Sequence, residues 1–338
     1  MTKTGNDIFW KEKPVVVTGA GGFIGSHLVE TLARKGSKVK ALVRYVGSGA
    51  FGWLSRTDPA LGENVEVIQG NLRDAASVSD LVRDAEIVFH LGAVISIPYS
   101  YINPSEVSAV NVGGTLNVLN ACREAGVGRL IHTSTSEVFG TAQYVPIDEK
   151  HPLQGQSPYS ASKIAADKLV ESYWQSFRLP AVTVRPFNTF GPRQSVRAVI
   201  PTIAAQLLKG PEVRLGSLSP TRDFTFVLDT VAGMMRAAQA ENVIGRHINL
   251  GTGQEISIRD LVDLMARLMG VDARPVNEER RVRPEGSEVE RLLSDNSLAR
   301  SLLGWSPAVS LDEGLSRTIE WIREHQEVYG RALNDYVV

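Results

Sequence analysis

Tyr159 and Lys163 stand four residues apart in a helical pattern, Thr135 and Glu137 close an apolar run, and Gly19-Ala20-Gly21-Gly22-Phe23-Ile24-Gly25 follows another such run. A spacing of four places the phenol and the ammonium on one helix face, where the cation favours the phenolate and readies it to take a proton from an alcohol. Gly19, Gly22 and Gly25 permit a tight turn, close backbone approach to a pyrophosphate, and tight packing of the next helix on its strand. The N-terminus of that helix offers free N–H groups and a partial positive charge to phosphates. Turn and pair together describe a bound nicotinamide dinucleotide and an alcohol being oxidised. Glu137 asks for more. A carboxylate is costly to desolvate there, but beside a hexose whose C4 has become a ketone it can remove the acidified C5 proton. Loss of the C6 hydroxyl then follows.

Cofactor choice stays open on residues alone. An acidic residue at the end of the second strand would accept the adenosine ribose hydroxyls, and this chain has Val43-Arg44 instead. Arg44 suits a 2′-phosphate, as in NADP, a stack on adenine, or a solvated strand end. Asn71 and Leu72, after the third strand, fit the flanks of the adenine or ordinary loop packing.

These residues need a frame. Through the first half, short β-branched runs alternate with longer helical patterns, as in an α/β fold whose parallel sheet is covered by crossover helices. The pattern predicts strands at 15–17, 39–43, 65–69, 87–90, 130–133 and 182–185, with helices over 23–34, 75–83, 104–125 and 157–177. After Pro186 the alternation weakens to helices at 200–209, 228–240, 258–269 and 311–324, a strand at 247–250 and a charged loop over 277–286. Two parts are expected: a dinucleotide-binding domain over 1–186, its sheet completed by later segments, and a smaller interleaved α/β lobe over 187–338.

Composition narrows the setting. The 338 residues leave room for a large core, and 43% apolar with 22% charged residues is ordinary for a soluble protein. A formal net charge of −1 gives no overall field for nucleic acid or an anionic membrane, so any anion must be held by a local cluster. No apolar run approaches a membrane span, and residues 1–14 lack the pattern of a leader. The single cysteine, Cys122, lies in an apolar helical pattern and cannot form an internal disulfide. The expectation is a cytoplasmic protein without an anchor. His27, His132, His151 and His247 show no metal-site spacing, so no metal is expected, and His90 reads as a structural histidine.

The motifs resemble the extended short-chain dehydrogenase/reductase family along nearly the whole chain. Beyond the glycine turn and the Tyr/Lys pair, the resemblance rests on His90-Leu91-Gly92-Ala93, Asn111-Val112-Gly113-Gly114-Thr115, Arg185-Pro186-Phe187-Asn188-Thr189-Phe190-Gly191-Pro192, Arg222-Asp223-Phe224 and Gly304-Trp305. It implies a Rossmann-type doubly wound parallel sheet with a C-terminal sugar-nucleotide lobe. Closer still, Thr133-Ser134-Thr135-Ser136-Glu137-Val138-Phe139-Gly140, Pro146-Ile147-Asp148-Glu149 and Ser157-Pro158-Tyr159-Ser160-Ala161-Ser162-Lys163 look like the NAD-dependent sugar-nucleotide 4,6-dehydratases of legionaminic acid biosynthesis. Phe51-Gly52-Trp53-Leu54 and Ser287-Glu288-Val289 point the same way. That group implies a nucleotide-linked N-acetylglucosamine as substrate, UDP-linked ahead of GDP-linked, and a 4-keto-6-deoxy sugar as product.

Carried over residue by residue, the resemblance makes Tyr159 the base that oxidises C4, with Lys163 holding both it and the nicotinamide ribose. Thr135 would bond the C4 oxygen and Glu137 would abstract the C5 proton. Phe23, Ile24, Leu91, Ala93 and Pro186 join the glycines as cofactor contacts. Asn188, Arg222 and Arg283 join Thr135 on the substrate, the arginines being suited to a diphosphate. Many 4,6-dehydratases carry an Asp before this Glu, where this chain has Ser136, as in GDP-mannose 4,6-dehydratases and UDP-glucuronate decarboxylases. Either Glu137 serves twice or Ser136 relays a proton to the departing hydroxyl. A sugar-nucleotide 4-epimerase and a UDP-glucuronate decarboxylase are the alternatives, and Arg193 and Arg197 are available for a uronic carboxylate. In the resembled family the helices at 104–125 and 157–177 pair across a subunit interface, which implies a homodimer.

Overall fold

The computed structural model describes residues 5–46 and 50–332. Seven parallel strands form the main sheet: β1 (Pro14–Thr18), β2 (Lys38–Arg44), β3 (Val65–Gly70), β4 (Ile87–His90), β5 (Arg129–Thr133) and β6 (Ala181–Pro186), joined by a strand from the second half of the chain. Between β6 and that strand come β7 (Asn188–Phe190), β8 (Glu212–Leu215), β9 (Thr221–Arg222) and β10 (Phe224–Phe226), so the seventh sheet strand is β11 (His247–Leu250). The sheet order is β11-β6-β5-β4-β1-β2-β3. Strand order reverses between β1 and β4, and in such doubly wound sheets the crevice at the carboxyl ends of those two strands takes the ligand. Gly19 continues β1 there, and His90, paired with Thr18, ends β4.

Why these runs become buried strands is visible in alternation. Val15 and Val17 point to one face, against Leu28 and Leu32 of the helix Phe23–Arg34 and Val231 and Met234 of the helix Val227–Gln239. Val16, Val88 and Leu130 point to the other, against Val118, Leu119, Cys122 and Val170. Both faces are covered, so the strands read as near-continuous apolar runs. The helix Pro158–Phe177 begins at a capping box, in which Ser157 and Ser160 satisfy each other's exposed N–H groups, and proline takes the first turn.

Two expectations change. The helix predicted over 104–125 is three pieces, Pro104–Ser108, a π-helical turn Ala109–Gly113, and Gly114–Glu124. The turn's wider hydrogen bonding accompanies Asn111, whose side chain bonds both backbone groups of Val94 and the Ser162 hydroxyl. The second half also carries more sheet than its periodicity suggests. A parallel β7–β10 pair, β8 paired with β13 (Arg274–Asn277), and β9 between β12 (Ile256–Ser257) and β14 (Arg291–Leu292) are all too short to show alternation. Two short 3₁₀ turns, Glu279–Arg281 and Glu285–Ser287, occupy the predicted charged loop. A second core gathers Phe190, Phe224 and Phe226 with the helices Val199–Leu207, Ile258–Met269 and Leu311–Glu324. Among the described residues no helix is long and apolar enough to cross a membrane.

Candidate active site

The glycine turn lies where β1 meets the helix Phe23–Arg34. Gly19 takes a left-handed φ of +70°, and a Cβ there would sit 2.8 Å from the Gly92 nitrogen. A Cβ at Gly25 would lie 2.2 Å from the Gly19 carbonyl oxygen, so helix and strand meet at a distance only glycine allows. Gly22 is the N-cap and offers no side chain to the first N–H groups of the helix. Unclaimed donors beside bare backbone are the donor set a pyrophosphate needs, so the turn fits a dinucleotide. Phe23 and Ile24 are half-buried behind it, Leu91 and Ala93 flank the end of β4, and Pro186 ends β6 in register with Leu250. Arg44 is exposed at the end of β2, close enough to Tyr99 for its charge to act on that phenol. Asn71 is exposed and accepts the Arg73 N–H in its own turn, while Leu72 is buried against Gly92 and Gly114.

At the carboxyl end of β5 the chain turns. The Thr135 hydroxyl caps the short 3₁₀ turn Ser136–Phe139 by accepting the Glu137 N–H at 3.2 Å, and Ser136 is buried. Tyr159 and Lys163 reach this turn from the helix Pro158–Phe177, both buried. Burial raises the Tyr159 phenol above its usual range, the hydrogen bond with Thr135 opposes the rise, and the Glu137 and Asp167 charges add to it. Burial pushes the Lys163 ammonium down to about 8 while Asp167 holds it up. The shared helix face is as expected, but the ammonium donates to the Thr133 carbonyl at 2.8 Å rather than to the phenol. The side chain is long enough to reach past the phenol to the end of β5.

Glu137 does not point to solvent: its side chain is 12% exposed, and Oε2 lies 3.6 Å from Arg283 Nη1. The same nitrogen is 4.0 Å from Glu288 Oε1, which accepts from Arg222 Nη2 at 3.4 Å. Thr135, Glu137, Arg222 and Arg283 therefore meet although three separate segments carry them. Arg283 Nη1 and Asn188 Oδ1 are both buried without a hydrogen bond, the kind of orphaned polar atom that a bound partner satisfies. Arg193 is not available for a uronic carboxylate. It is buried, donating to Glu30 at 2.7 Å and Ser26 at 3.2 Å, because its loop packs on the helix Phe23–Arg34. Arg197 is exposed.

Sequence reading passed over a buried polar cluster behind Lys163. Asp167 accepts from His132 Nε2, Ser134 Oγ, and Arg185 Nε and Nη2, at 3.2, 2.9, 3.2 and 3.1 Å. Burial alone would raise its carboxyl, yet the His132 bond and the Arg185 charge hold it well below the usual carboxylate range. The spacing Tyr159, Lys163, Asp167, one turn each, was the available signal. His90 sits in a second ladder: Gly92 N–H donates to Thr18 Oγ1, Thr18 to His90 Nδ1, His90 Nε2–H to Thr115 Oγ1, and Thr115 to the Asn111 carbonyl. Every group in it is satisfied, and burial lowers the imidazole well below its usual value, so His90 is a neutral structural residue. Among the described residues no three His, Cys, Asp or Glu side chains are grouped to hold a metal.

The sequence model of the GDP-mannose 4,6-dehydratase family matches residues 16–318. A UDP-glucose 4-epimerase of Mycolicibacterium smegmatis is 34% identical over 92% of this chain and 99% of its own length. A dTDP-glucose 4,6-dehydratase of Streptomyces antibioticus is 32% identical over 92% and 93%. Among solved structures, a dTDP-glucose 4,6-dehydratase from Streptomyces venezuelae with NAD bound superposes with a TM-score of 0.83 at 29% identity, covering 93% of this chain and 98% of that one.

Proposed function

The chain belongs to the GDP-mannose 4,6-dehydratase family of sugar-nucleotide dehydratases and epimerases, and from that premise we propose that it is an NAD-dependent 4,6-dehydratase of a nucleotide-linked N-acetylglucosamine, UDP-linked in the first place. One observation carries the choice. Glu137, a carboxylate in a redox site, is turned inward beside Thr135, where its charge acts on the Tyr159 phenol. An epimerase has no use for a base at C5.

In this reading the glycine turn and the N-terminus of the helix Phe23–Arg34 hold the pyrophosphate of NAD, and Lys163 holds the nicotinamide ribose. NAD, when bound, supplies the acceptor for hydride from C4 and the donor of that hydride to C6. Tyr159 takes the C4 hydroxyl proton, and Thr135 bonds the C4 oxygen. Glu137 then takes the C5 proton, the C6 hydroxyl leaves as water, and once C6 has received the hydride a solvent-exchanged proton returns to C5. The proton for that hydroxyl comes from Glu137 itself or through Ser136, which adjoins it. Arg222 and Arg283 bind the diphosphate, with Asn188 on the phosphate or sugar. Residues 187–338 supply most of these substrate groups, and residues 1–186 hold the cofactor. Epimerase relatives support the second reading, a 4-epimerase with the same oxidised intermediate. The decarboxylase reading has lost Arg193 as a carboxylate partner.

Incubation with UDP-N-acetylglucosamine in heavy water decides between them. Dehydration yields a product that has lost one water and gained one deuterium. Recovery of a stereoisomer of unchanged mass would reject the dehydratase.

A further inference from the structure

The catalytic helix carries one buried ionised group that the proposed chemistry leaves unused. Asp167 stands one turn beyond Lys163 and is fully buried, yet its carboxylate accepts from His132 on β5, Ser134 just past β5, and Arg185 on β6. One side chain thus ties the helix bearing Tyr159 and Lys163 to the strand end bearing Thr135 and Glu137. The titratable groups coupled to Lys163 come from three elements: Asp167 on its own helix, His132 from β5 and His90 from β4, with Tyr159 one turn before it on the same helix. Asp167 is faced in turn by Arg185 and by His247 from β11. Burial keeps the three histidines neutral near pH 7. The charges left inside are two cations, Lys163 and Arg185, and one anion, Asp167.

A buried ammonium without a counter-charge gives up its proton to escape desolvation. A neutral lysine would no longer stabilise a phenolate. We propose that Asp167 is a positioning residue that keeps Lys163 in its cationic form and pins the turn after β5 against the catalytic helix, with Arg185 holding the carboxylate ionised. This rests on the reading of Tyr159 and Lys163 as the redox pair.

The test is a pH titration of the lysine Nζ signals of ¹⁵N-lysine-labelled protein by NMR, with Lys163 assigned through Lys163→Arg, in the wild type, Asp167→Asn and the double variant Asp167→Asn/Arg185→Gln. The double variant leaves no guanidinium unpaired beside residue 167, so it carries the test should Asp167→Asn alone fail to fold. Lys163 should titrate about one pH unit lower in either variant. Turnover should then fall roughly eightfold at pH 8.5 while staying within about twofold at pH 6. Asp167→Glu should restore both. Ser134→Ala, which cuts only the tether to the turn, should leave the titration in place and lower turnover evenly across pH. An unmoved Lys163 titration, or an even loss across pH for Asp167→Asn, would overturn the proposal. Because the titration needs no turnover, a shifted Lys163 in a protein that dehydrates no sugar nucleotide would sink the reaction assignment and keep the positioning role.

Discussion

Glu137 is the residue on which the reaction class turns. Replacing it with glutamine keeps the shape and the half-buried contacts of the turn but removes the only carboxylate proposed to reach C5. We expect Glu137→Gln to lower dehydration by at least about 100-fold, the range for loss of a general base, while dinucleotide binding measured by fluorescence titration stays unchanged. Unaltered turnover would contradict the assignment. The types at this site were readable from spacing: a Tyr/Lys pair one turn apart, a threonine at a strand end, a carboxylate two residues on. What spacing could not show is that Arg283 comes within 3.6 Å of Glu137. That contact joins residues 146 positions apart in sequence, and no local pattern encodes it.

The helix Gly114–Glu124, within the expected interface segment 104–125, and the helix Ile97–Ile102 just before that segment leave large apolar side chains in water. Ile102 is 64% exposed and Leu116 37% exposed, on neighbouring segments that pack against the catalytic helix. A twofold dimer through this segment would take such side chains out of water in both copies. We predict that the 36.8 kDa chain sediments as a dimer, and that Leu116→Glu combined with Ile102→Glu shifts it to monomer in analytical ultracentrifugation; a wild-type monomer would remove the prediction's basis. Long elements were predictable here because apolar periodicity accumulates over their length. The helices 23–34, 258–269 and 311–324 lie where the pattern puts them. The π-helical turn at Ala109–Gly113 was not predictable, since it depends on hydrogen bonds from Asn111 to Val94 and Ser162 on other elements.

Across the whole molecule, histidines largely withdrawn from water tie stability to pH. Burial lowers His27, His132 and His247 to about 4, so the unfolded chain binds protons more tightly than the folded one between pH 4 and pH 6.5. Stability therefore falls as pH drops through that window, by about 4 kcal/mol per pH unit from these three acting together, with His90 adding in the same direction. Urea unfolding at pH 7 and pH 5 checks this, and equal midpoints would rule it out. Sequence alone determined the sheet-and-helix frame, the glycine turn and the side chains proposed to react, because each is set by residue types close along the chain. Tertiary structure alone decided that β11 pairs with β6 at the edge of the sheet, that Arg193 is committed to Glu30, and that Asp167 stands behind Lys163. Those outcomes follow from which distant groups must share a dry interior, where a charge needs a partner and only the folded chain supplies one.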